Sequence, residues 1–161
     1  MKSNKIDITV LFDAHVAQRK QEEAAERAAQ QAAKDKRDRQ VQEVTLAIRE
    51  VADAAIKALQ PHLGKSLRYD LSELEDSPYD YDMEREHYGF RGEIYFHDTP
   101  PGTEVRPVYQ TRIRAIYHKT ADRLESVSFR GHANEFISGT PEEKALKLAI
   151  EVYESFEPDE E

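Results

Sequence analysis

The chain has 161 residues, a net charge of −9, 39% hydrophobic and 34% charged residues, and no cysteine. That length suits one compact domain plus an appendage, and the polar balance means that part of the chain buries little. The missing cysteines exclude disulfides, zinc–thiolate sites, iron–sulfur clusters and a cysteine nucleophile; the net charge excludes general attraction to nucleic acid or anionic lipid, so such binding needs a local basic patch.

The start MKSNKIDITVLFDAH lacks the long apolar core and cleavage site of a secretory signal, and no apolar run approaches the roughly 20 residues of a membrane span. The expectation is a soluble, cytoplasmic protein with no membrane contact. In KIDITVLFD, the alternation of Ile6, Ile8, Val10 and Phe12 has the period of a short strand. From Ala14 to Gln40 the chain is rich in alanine and long charged residues, without glycine or proline, and reads as a polar helical arm. Such an arm has almost nothing large and apolar to bury, so it is expected to be solvated or to pair with a partner, including a second copy as a homodimer.

From Val41 the apolar positions Val44, Ile48, Val51, Ala52, Ala55, Ile56 and Leu59 recur at three- and four-residue spacing, the stripe of a core-facing helix that Pro61 and Gly64 end. An unbroken helix from about residue 14 to 60 would be roughly 70 Å long, enough to project as an arm or to form a coiled coil. Residues 65–87 read as an acidic insertion with some extended structure. Beyond it, Tyr88, Phe90, Ile94 and Phe96 share one parity, Tyr109, Thr111, Ile113, Ala115 and Tyr117 another, and Val127 and Phe129 a third: a three-stranded antiparallel meander with one apolar face. Thr140-Pro141-Glu142-Glu143 is a capping box opening a final helix, whose apolar face is read as Ala145, Leu146, Ala149, Ile150, Val152, Tyr153 and Phe156.

The expected fold is therefore α+β. An N-terminal strand and helical arm (1–40) precede an α-β-β-β-α domain (41–156) that carries the acidic insertion, has its C-terminal helix packed on one sheet face, and ends in an acidic tail (157–161).

No phosphate-binding glycine loop, G-x-S-x-G or H-E-x-x-H motif is present, and the expectation is a non-catalytic protein without cofactor or metal. His97, Asp98, Glu93 and His118 could meet on neighbouring strands as a divalent-metal set, but Glu93 and His97 lie on the parity where solvent-facing polar residues belong. That same outward face carries Arg91, Tyr95 and His97, then Arg112, Arg114 and His118, then Arg130. Arginine with interleaved tyrosine can hold phosphates and stack bases, so Arg91, Tyr95, Arg112, Arg114 and Arg130 form one candidate nucleic-acid site.

The helix, three strands, helix order and the stretch SFRGHANEFISGTPEEKALKLA resemble the double-stranded-RNA-binding domain over roughly residues 41–156. That resemblance implies RNA binding at a lysine cluster opening the second helix, where this sequence has Glu142 and Glu143 and only Lys144.

The second candidate site is SPYDYDMERE. An EF-hand starting at Asp80 fails, because Arg85 and Arg91 fall where glycine and the bidentate glutamate are needed. If extended, the stretch puts Tyr79, Tyr81 and Met83 on one face and Asp80, Asp82, Glu84 and Glu86 on the other, about 6–7 Å apart, like a row of phosphates. On this reading Tyr79, Asp80, Tyr81, Asp82, Glu84 and Glu86 bind a basic protein, such as a nucleic-acid-handling one, and the chain inhibits or regulates it by mimicking nucleic acid. The sequence favours that reading, with direct nucleic-acid binding by the arginine face as the alternative.

Overall fold

The structure, a computed structural model, describes residues 5–77, 87–102, 106–118, 121–131 and 136–156. In chain order the elements are α1 (Thr9–Leu59), a 3₁₀ turn (Gln60–His62), β1 (Arg68–Leu71), β2 (Glu75–Ser77), β3 (His87–His97), β4 (Tyr109–His118), β5 (Arg123–Arg130), β6 (Phe136–Ile137) and α2 (Pro141–Ser155). The chain divides into two compact units, Met1–Arg39 and Gln40–Glu161.

In the first unit the strand expected over residues 6–12 does not form. A lone strand leaves its backbone groups unpaired, whereas a helix satisfies its own. Here the Asp7 carboxylate accepts the Thr9 amide at 3.0 Å, the Phe12 amide donates to the Ile8 carbonyl at 2.7 Å, and α1 begins at Thr9. Helix continues through the alanine-rich stretch, with Gln18 donating to Glu22 and Gln31 to Asp35 one turn on. Within this unit the described side chains are exposed except for the half-buried Val16 and Arg37.

The second unit is a two-layer α+β arrangement. Its sheet has six antiparallel strands in the order β1-β3-β4-β5-β6, with β2 pairing the other end of β3 beside β1. The three expected strands are its centre. The other two on the edge of β3 lie in the acidic stretch, read only as having some extended structure; RYDL alternates Tyr69 and Leu71 over just four residues, EDS has no apolar residue, and both bond their backbones to β3.

One sheet face is apolar. Phe90, Ile94 and Phe96 of β3, Ile113, Ala115 and Tyr117 of β4, and Val127 and Phe129 of β5 form a single core with Val44, Ile48, Val51, Ala55 and Leu59 of α1 and Ala145, Leu148, Ala149 and Val152 of α2. Leu74, between β1 and β2, closes the core over Gly92, where an added Cβ would lie 2.8 Å from a Leu74 methyl.

The buried face of α2 is narrower than expected: Ala145, Ala149 and Val152 are buried as read. Leu146, Ile150 and Tyr153 are exposed, and the unexpected Leu148 is fully buried. The cap is as read: Thr140 accepts the Glu143 amide at 3.2 Å, with Pro141 opening the helix. Where β4 turns into β5, Asp122 adopts φ 47° and its carboxylate accepts the buried Gln40 amide at 2.7 Å, tying α1 to the hairpin.

Candidate functional site: an arginine hollow on the outer sheet face

The Val44–Leu59 part of α1 and α2 lie against the apolar face, so the opposite face of the sheet displays the alternate side chains of β3, β4 and β5. Strand register places Arg91 opposite Arg114 and Glu93 opposite Arg112, while Arg114 also faces Ser128. Two like charges directly opposite each other oppose pairing of the strands by a few tenths of a kcal/mol up to about 1 kcal/mol. The conflict is eased locally. Glu75 of β2 lies 3.8 Å from Arg91, and the Arg114 guanidinium sits 5.4 Å from the centre of the Phe136 ring.

Glu93 makes no ion pair with Arg112 despite being its cross-strand neighbour. Its carboxylate accepts the Tyr95 hydroxyl and, at 3.3 Å, the Gln110 amide. The Tyr95–Glu93 bond is the main reason the Tyr95 pKa is raised, with burial second. Arg112 is exposed and ion-pairs with none of the described residues.

These residues enclose an open hollow of ≈ 660 Å³. Arg91, Arg112, Arg114 and Arg130 all line it, with Glu73, Glu75 and Glu93 as the acidic members. Arg112 and Arg91 are exposed, whereas Arg114 and Arg130 are half-buried and the Arg114 Nε is fully enclosed. Of the five residues expected on this face, the four arginines converge and Tyr95 does not line the hollow.

Sequence reasoning missed Ser72, Ser77 and Phe136. The first two sit on the unrecognised β1–β2 segment, and Phe136 on a two-residue strand too short to show a period.

The other expected constellations fare differently. His97, Asp98, Glu93 and His118 do not meet. His97 Nε2 lies 3.5 Å from Asp70, Asp98 lies 3.7 Å from Lys65, and His118 Nδ1 accepts the Ala121 amide at 2.9 Å with its ring edge-on to His87. Among the described residues no group of three or more histidine and carboxylate side chains is placed to hold a metal ion. Tyr79, Asp80, Tyr81, Asp82, Glu84 and Glu86 lie outside the described residues, in the connection between β2 and β3.

The duplex-RNA mode implied by the family resemblance loses its last lysine. Lys144 Nζ donates to the Val127 carbonyl at 2.9 Å, and burial lowers its pKa. Glu142 and Glu143 occupy the first turn of α2, where they would repel a phosphate. No described helix is long and apolar enough to cross a membrane.

The fold and the hollow thus define a two-layer α+β protein with a basic open sheet face. No protein-family model matches the chain, and comparison with curated proteins and with solved structures returned no match.

Proposed function

We propose that the chain is a non-catalytic binding protein that holds nucleic acid on its outer sheet face through Arg91, Arg112, Arg114 and Arg130. One observation carries this reading: four arginines from three strands line a single hollow, and one of them, Arg112, ion-pairs with none of the described residues although a carboxylate stands across from it. Guanidinium groups bind phosphate oxygens in paired hydrogen bonds, and an acidic chain with a confined basic site avoids indiscriminate binding elsewhere on its surface.

The test is fluorescence anisotropy with labelled oligonucleotides across a salt series. Arg112→Ala combined with Arg114→Ala should weaken binding at least tenfold and flatten the log–log salt dependence by about two counterions. Unchanged affinity and slope would remove the arginines from the interface.

The acidic segment supports a second reading in which the chain binds a basic protein. Between Asp70 and Glu86 there are eight carboxylates against one arginine, and Glu73 and Glu75 already stand beside the arginine hollow. In a pull-down from nuclease-treated lysate, a basic partner held by the native chain should be lost when Asp80 and Asp82 become Asn and Glu84 and Glu86 become Gln. Identical captured proteins would end this reading.

The first unit is proposed to self-associate. Ile6, Val10, Leu11 and Phe12 are between 59% and 90% exposed, a concentration of large apolar groups that water disfavours. Light scattering should give a dimer mass for the native chain and a monomer mass for Leu11→Glu with Phe12→Glu. A native monomer would refute the idea.

A further inference from the structure

We infer that the arginine hollow is shaped for an unpaired nucleic-acid strand rather than a duplex, with its phosphates on the recessed arginines and one base stacked on Phe136. This rests on the nucleic-acid reading and narrows it to a substrate class.

The first argument is size. A hollow of ≈ 660 Å³ has the scale of a small-molecule pocket, room for about one or two nucleotides. The second is depth. Arg114 and Arg130 are half-buried, whereas Arg91 and Arg112 are exposed. A duplex holds its phosphates on the outside of a stiff cylinder and would touch only the exposed Arg91 and Arg112. A flexible single strand can turn a phosphate inward to all four.

The third argument is spacing. Neighbouring strands lie about 4.8 Å apart and alternate residues along a strand about 6.7 Å apart, so Arg91, Arg114 and Arg112 root within one small patch. That patch matches a short run of one backbone, not two backbones facing each other across a groove some 12 Å wide.

Phe136 supplies what phosphate contacts lack. It belongs to the edge strand β6, faces the same side as its partner Arg130, lines the hollow and is 43% exposed. An exposed ring beside a guanidinium is a stacking platform, which only an unpaired base can use. Ser72 and Ser77 line the other side of the hollow, but the Ser72 hydroxyl already accepts the Glu93 amide and Ser77 is buried, so neither is needed for binding.

The experiment compares the full chain binding a labelled 12-nucleotide single strand and the duplex made from it, by anisotropy at one low salt concentration. Native protein and Phe136→Leu are measured together, with circular dichroism melting to establish that the variant folds. Single-strand affinity should exceed duplex affinity at least tenfold, and Phe136→Leu should weaken single-strand binding about fivefold or more while leaving duplex binding unchanged. Equal or tighter duplex binding, or a Phe136→Leu variant indistinguishable from native, would overturn the single-strand inference and leave the broader reading standing. No binding of either form would overturn both.

Discussion

Arg112 and Glu93 face each other across two strands and yet form no ion pair; the Glu93 Oε2 instead accepts the Tyr95 hydroxyl and the Gln110 amide. Arg112 is left exposed, with no ion pair to a described residue. Tyrosine–carboxylate pairs recur in the core for a different purpose. Tyr109 donates to Glu151 at 2.6 Å and Tyr117 donates to Glu43, and in both cases burial, followed by the carboxylate hydrogen bond, raises the phenol pKa well above 10.0. A raised folded pKa means stabilisation that is complete below the unfolded value and is lost as pH rises through the folded one. Stability should therefore decline from about pH 10 upward. Absorbance titration at 295 nm should show at least two of the eight tyrosines ionising only as the chain unfolds. Tyr117→Phe should remove one of them at a cost of about 1 kcal/mol, since Glu43 is exposed and regains water. All tyrosines titrating together near pH 10 would contradict this account.

At the scale of elements, what the sequence showed depended on whether each element's period was set by burial on one side. β4 is the clearest case: Tyr109, Thr111, Ile113, Ala115 and Tyr117 are all buried, as their alternation implied. The stripe from Val44 to Leu59 is equally plain. For α2 the period was right and the face too broad, with Ala145, Ala149 and Val152 buried as read. Apolar side chains occur on more than one side of that helix, and only the position of the sheet decides that Leu148 enters the core while Leu146 stays outside. The N-terminal alternation misled for the opposite reason. A period of two marks a strand only if a neighbouring strand is available to pair with it. β1 and β2 fell in a stretch read only as partly extended and β6 was missed, because edge strands of two to four residues are held by backbone bonds that any side chain permits.

Across the whole molecule, the sequence alone determined the α+β class, the two helices, the three central strands and the parity that puts four arginines on one face. These follow from local periodicity, which the order of residues contains in full. It also showed where charge accumulates, with the acidic blocks at 65–87 and 141–161. Only the tertiary structure decided that the outward face is a hollow rather than a flat sheet, that Phe136 and two serines complete its rim, and that Lys144 turns away to the Val127 carbonyl. Each of those depends on residues far apart in the chain: Ser72 with Glu93, Glu75 with Arg91, Phe136 with Arg114. Periodicity reports which way a side chain points, but the register between strands sets which side chains meet, and register is a property of the folded sheet.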